Sequence, residues 1–215
     1  MNASRTDPEL AAAFVRGDES AGEELIERHY DGVVRFFRTK TNDAVDDLVQ
    51  KTFLVCMDRL HTYSGAAPFR AFLFGIARNV LFELLRGKRR DAQGSADVSQ
   101  SSIVDLSPGV HTLAFRRAEQ RRVVRALQSL PLDLQILLEL HYWEEMGLAE
   151  LATLLEVPEG TVKSRLFRAR QVLREALESS GSTGEPTSVD SLEGWAERLR
   201  GERPSVADDS REGSG

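Results

Sequence analysis

The chain has 215 residues and a formal net charge of −6, room for one large or two small domains with real cores. Its single cysteine, Cys56, excludes an intramolecular disulfide and a thiolate metal cage within the chain. The longest strongly apolar run, Ala71 to Ala77, is far too short to span a membrane, and MNASRTDPEL lacks a signal-peptide core, so a cytoplasmic location is expected.

Leu, Ala, Glu and Arg dominate the composition, and alternating β-branched runs between turn pairs are missing. This predicts an all-α fold. Asp7-Pro8-Glu9 reads as an N-cap followed by proline at the first helical position, opening a helix that Gly17-Asp18 closes. Ala21, Leu25, Ile26, Tyr30, Val33, Val34 and Phe37 give a second helix a broad apolar face, which Gly32 weakens in the middle. Asn42-Asp43 can cap a third helix whose core stripe is Val45, Leu48, Val49, Thr52, Phe53, Cys56, Met57 and Leu60. A loop around Tyr63 to Pro68 leads to a fourth helix from about Phe69 to Arg86. These elements, residues 1–86, make a first domain.

Residues 87–112 are rich in glycine and serine without an apolar period and read as a flexible linker. Helical periodicity resumes near Leu113, breaks at Pro131 and returns in Leu134 to Tyr142, so 113–178 form a second small helical domain. Beyond it, residues 179–215 carry eight acids against four arginines, a net of −4 that leaves the rest of the chain at only −2. One amphipathic group in this acidic extension, Leu192, Trp195, Ala196 and Leu199, can dock as a short helix over a basic, partly apolar surface.

The densest signal is GTVKSRLFRARQVLR, residues 160–174. Val162, Leu166, Ala169, Leu173 and Leu177 form one apolar seam, while Lys163, Arg165, Arg168, Arg170 and Arg174 crowd the other side. The short apolar helix before it, Leu148 to Leu155, and the Glu156-Val157-Pro158-Glu159-Gly160 break complete a helix-turn-helix pattern. In that motif the second helix enters the major groove of DNA. Catalysis finds no support here. His29, His61, His111 and His141 are scattered, and there is no Gly-rich phosphate loop, nucleophile elbow or paired zinc ligand, so no catalytic residue, metal or cofactor is expected.

DDLVQKTF (46–53), PFRAFLFGIARNVL (68–81), Leu130-Pro131 and GTVKSRLFRAR (160–170) stand in an order and spacing similar to the sigma-70 family of RNA polymerase initiation factors. The resemblance is to its short extracytoplasmic-function (ECF) group and covers about residues 8–178. It implies two domains, region 2 and region 4, the first engaging the polymerase clamp and the −10 element, the second the −35 element and the flap. Core RNA polymerase and promoter DNA are the implied partners, with an anti-sigma factor as a regulator such proteins commonly have.

Carried over by position, Asp46, Asp47, Leu48 and Gln50 match the polymerase-binding helix; Lys51 stands where the family usually has Glu. Tyr63 and Asn79 match positions that hold the melted −10 strand, and an aromatic plus an amide suit an unstacked base. Lys163, Ser164, Phe167 and Arg168 match the face toward the −35 duplex, with Arg168 suited to guanine and Phe167 to a thymine methyl. Arg165 and Arg170 are read as phosphate contacts, and Arg70, Arg78, Arg86, Lys88, Arg89 and Arg90 as cations able to track the backbone. The alternative is a conventional helix-turn-helix regulator that dimerises on palindromic half-sites.

Overall fold

A computed structural model describes residues 5–41, 44–91, 97–103 and 118–179. Eight α-helices lie there: α1 (Asp7–Val15), α2 (Glu19–Arg38), α3 (Val45–Arg59), α4 (Phe69–Asp91), α5 (Ala118–Gln128), α6 (Leu132–Tyr142), α7 (Leu148–Leu155) and α8 (Glu159–Ser179). Single 3₁₀ turns occupy Leu60–Thr62 and Val98–Gln100. Among the described residues the only β feature is an isolated antiparallel bridge, Ser102 with Pro131. The fold is all-α. The acidic extension and most of the expected linker lie outside the described residues, as does the expected Asn42-Asp43 cap.

The first domain is an ordered stack: α1 packs on α2, α2 on α3 and α3 on α4. Its core follows the stripes expected from the sequence, with Leu25, Val33, Phe37, Val49, Phe53, Cys56, Leu73, Phe74 and Leu81 buried, but Val45 and Met57 are only partly buried and Tyr30, expected on the apolar face of α2, is exposed. Burial pushes the Cys56 thiol up to about 12, so this sulfur is a packing group and stays protonated.

The cap of α1 differs from the expectation. Thr6, in extended backbone, precedes the helix, and its N–H and hydroxyl donate to Glu9 at 2.7 and 2.8 Å, a Thr-x-x-Glu capping box. Asp7 is thereby free to tie α1 to α2. It accepts from Arg28 at 2.7 Å and bonds His29 Nε2 at 2.9 Å.

In the second domain α8 lies against α5, α6 and α7, and Val162, Leu166, Ala169, Leu173 and Leu177 are all buried along the expected seam. Helix α4 runs five residues past Arg86, through Gly87, to Asp91. Residues 97–103 are also packed: Val98 and Ile103 are buried, and the Val98–Gln100 turn touches both α4 and α6. Arg89 donates to Ser101 Oγ at 2.9 Å, and Leu132 N–H donates to the Ser101 carbonyl at 3.0 Å. The described part of the connecting segment is therefore pinned to both domains.

The domains share one continuous apolar core, and α4 packs against α7. At the centre of the interface sits an ion pair between Lys40 and Glu139, 0 % and 2 % exposed. Gly32 lies at this junction: a Cβ on it would stand 2.7 Å from Glu144 Oε2, and the carboxylate that Arg35 holds would have to shift to admit it.

The Asp7 contacts carry a pH signature. Burial pushes the Asp7 carboxyl up, but His29 and Arg28 outweigh it and hold it below its ordinary 3.8. Its stabilisation is then present above that value and lost as pH falls through the depressed one. Asp7→Asn is expected to cost ~1 kcal/mol in urea unfolding at pH 7, a figure discounted for partial exposure, and the difference from wild type should shrink as the titration is carried below pH ~3.8.

Candidate nucleic-acid interface

The helix-turn-helix is built by a left-handed residue between two helices. Glu156, at φ 54°, ends α7, with its N–H on the Thr153 carbonyl and the Val157 N–H on that of Ala152. The Pro158 carbonyl then accepts from Thr161 and Val162 at 2.9 and 3.2 Å, which starts α8. With the seam turned inward, Lys163, Ser164, Phe167 and Arg168 are exposed together on the opposite face. Phe167 is 64 % exposed, an expense of apolar surface that intramolecular packing does not explain. Among the described residues Lys163, Arg165 and Arg168 make no ion pair. Ser164 donates to the Thr161 carbonyl at 2.9 Å, leaving its oxygen able to accept.

Arg170 does not join this face. Its Nε donates to Tyr142 Oη at 2.7 Å, and its guanidinium lies 5.6 Å from the Tyr142 ring centroid. The expected phosphate contact is replaced by a strut between α8 and the end of α6, where His141 Nδ1 also bonds the Met146 carbonyl at 3.0 Å.

On the first domain Asn79 is exposed on α4. Tyr63 is half-buried: its hydroxyl donates to the Ala67 carbonyl at 2.8 Å and its ring packs on Phe72 (5.4 Å) and edge-on to Phe69 (5.7 Å). Tyr63 thus holds the loop, and Asn79 lies seven residues beyond Phe72, roughly 10 Å along the axis. Arg70 and Arg78 are paired with Glu150 and Asp133 of the second domain, both at 2.8 Å.

At the start of α3, Asp46, Asp47 and Gln50 are exposed, while Leu48 is buried in the core. Lys51 is exposed and bridged to Glu83 at 2.8 Å. Leu54 joins this outer face at 64 % exposure. The sequence signal for it was its position four residues after Gln50, off the core stripe. Among the described residues no cluster of His, Cys, Asp or Glu could hold a metal, and no helix is long and apolar enough to cross a membrane.

These features define a two-domain helical DNA-binding protein with a further exposed acidic and apolar face. Residues 25–91 match Sigma-70 region 2 and residues 120–173 match Sigma-70, region 4, together more than half of the chain. The RNA polymerase sigma-H factor of Pseudomonas aeruginosa is 28 % identical over 189 residues, 83 % of this chain and 97 % of that protein. The ECF RNA polymerase sigma-E factor of Escherichia coli K12 is 27 % identical over 181 residues, 80 % and 95 %. Among solved structures, CnrH in complex with the cytosolic domain of CnrY superimposes with a TM-score of 0.55 at 26 % identity, covering 81 % of this chain and 99 % of that one. The sigma factor RpoE of Bartonella quintana, solved with the anti-sigma factor NepR, shares the fold at a TM-score of 0.59 and 22 % identity, covering 73 % and 96 %. The chain belongs to the sigma-70 family of RNA polymerase sigma factors, in its ECF group. It is a promoter-recognising factor, and the conventional-regulator alternative is not favoured.

Because Arg170 braces α8 from behind, Arg170→Ala should lower unfolding free energy by roughly 1–2 kcal/mol, the sum of one hydrogen bond and one cation–π contact. Urea melts of the full chain check this, and DNA affinity measured well below the melting range should change little.

Proposed function

We propose that this chain brings core RNA polymerase to promoters by reading the −35 duplex with α8 and the melted −10 strand with α4, and that it performs no catalysis of its own. The observation that carries the reading is the α8 face, where Lys163, Arg165 and Arg168 stand around an exposed Phe167 and pair with no carboxylate among the described residues. Unpaired cations attract phosphate, a planar guanidinium can bridge guanine O6 and N7, and a phenyl ring can lie on a thymine methyl. Lys163, Ser164, Phe167 and Arg168 read bases; Arg165, half-buried beside the seam, neutralises phosphate.

In the first domain Asn79 offers an amide to the edge of an unstacked base, and Tyr63 holds the loop that precedes α4. Asp46, Asp47 and Gln50, with Leu54 on the same exposed face, meet the polymerase clamp, while buried Leu48 orients the helix that presents them. The Lys51–Glu83 bridge offsets the cation that stands where the family has Glu. An anti-sigma factor is a further partner; CnrH and the Bartonella RpoE were each solved with a second protein. The site of action is the cytoplasm, where polymerase and promoters are.

Run-off transcription with purified core polymerase tests the proposal: a specific start should appear only when the chain is added. A transcript that is independent of the chain, or no binding to core polymerase, would reject it.

Arg168→Ala should cost roughly 1–3 kcal/mol at one or two −35 positions, whereas Arg165→Ala should weaken all sequences alike and lower the salt slope by about one. Binding titrations across promoter variants and salt concentrations separate the two. Asn79→Ala should slow promoter opening more than closed-complex binding, read by permanganate reactivity, and a pre-melted promoter should restore it.

A further inference from the structure

The outer face of α8 and the acidic extension carry complementary features. Lys163, Ser164, Phe167 and Arg168 are exposed together, with Phe167 at 64 %. Arg165 is half-buried beside them, and among the described residues none of these three cations pairs with a carboxylate. Lys163 lies one turn before Phe167 and Arg168 directly follows it, so around the helix the exposed ring stands between two cationic side chains. The surface is an apolar centre with a cationic border.

Residues 180–215 lie outside the described residues, and their sequence supplies the opposite chemistry. Leu192, Trp195, Ala196 and Leu199 recur at i, i+3, i+4 and i+7, the period of one helical face, and Glu193 and Glu197, four apart, fall together on one side of that stripe. Residues 190–199 hold three acids, Asp190, Glu193 and Glu197, against Arg198, a net of −2. Trp195 is one of two tryptophans in the chain, and the other, Trp143, is buried in the core.

Chain length also fits. From Ser179, the last residue of α8, back to Phe167 is ~18 Å at 1.5 Å per residue. Residues 180–191, SGSTGEPTSVDS, separate Ser179 from Leu192. A serine- and glycine-rich chain of that length has a root-mean-square span of ~17–21 Å. Effective concentration is greatest when this span equals the distance to be covered, and for a short tether it reaches the millimolar range. A contact too weak to join two separate chains at micromolar concentration is then well populated within one.

We propose that residues 190–199 fold back onto the outer face of α8 as a short helix, Leu192 and Trp195 covering Phe167 while the Glu193 and Glu197 carboxylates meet Lys163 and Arg168. The segment competes with duplex DNA from inside the molecule. DNA must displace it, so the apparent dissociation constant rises by the reciprocal of the fraction of chains whose face is free. That factor is the same for every sequence, and contacts with non-promoter DNA, already weak, are vacated first. The competition rests on the DNA-reading role proposed for α8; the docking does not.

Ser164→Cys and Ala196→Cys, introduced together in the full-length chain, are treated with a short bismaleimide; Cys56, buried and protonated, stays out of the reaction. Cross-linking within one chain should run at least fivefold faster than in the same pair carrying Leu192→Asp, Phe167→Ala, or Glu193→Lys with Glu197→Lys. Each of these keeps the tether and leaves the buried core untouched, and the rate should not change on dilution. Equal rates with and without these substitutions would overturn the docking. Cross-links that join two chains and vanish on dilution would also overturn it, assigning the face to a second copy. In complex with core polymerase, Trp195→Ala should bind a promoter several-fold more tightly than wild type, and unchanged or weaker binding would overturn the competition. The cross-linking uses neither DNA nor polymerase, so it decides the docking even where the DNA-reading role of α8 fails.

Discussion

The contact between Lys40 and Glu139 sets the geometry of the whole molecule. An ammonium with three acceptors and a carboxylate with three donors tolerate little sliding, since any shift leaves a buried polar atom unpaired. Fixing that point brings Glu144 over Gly32, where a Cβ would oblige the Glu144 carboxylate to shift. It also lays α7 along α4 and places Glu150 and Asp133 opposite Arg70 and Arg78. Continuity of the apolar core across both domains follows from this register.

Two populations of cations result. Among the described residues, those of the first domain that face the second are matched by carboxylates, and those on the outer side of α8 are not. Sequence position does not distinguish them: Arg70, Arg78 and Arg168 all sit on helices with apolar seams. What separates them is which domain surface lies opposite. Arg170 shows the same rule inside one domain, since a tyrosine hydroxyl within reach turns it from solvent to packing.

Much of this was legible beforehand where a short-range period carried it. The Val162 to Leu177 seam, the α3 stripe and the helix-turn-helix break are local patterns, and each is present, with Val45 and Met57 at the half-buried margins of the α3 stripe. The misreadings have physical causes. Thr6 precedes the helix in place of Asp7 because the Glu9 carboxylate reaches back to accept both its N–H and its hydroxyl. Gly87 fails to stop α4 because a single glycine costs a helix only about 1 kcal/mol, less than the packing around Leu85 and the Arg89 anchor can offset. Val98 and Ile103 have no periodic neighbours, so their burial was invisible. Gly32 read as a weak point in α2, yet its reason lies more than a hundred residues away. Lys40 and Glu139 had no sequence signature, for a lone charge on a helix is ordinarily a solvated one.

The carboxylates that cap Arg35, Arg70 and Arg78 also change how ionic strength acts on this factor. Added salt screens these partly exposed bridges far more than it screens the buried Lys40–Glu139 pair. As ionic strength rises, the hold between the domains passes from the rim of the junction to its centre and its apolar contacts.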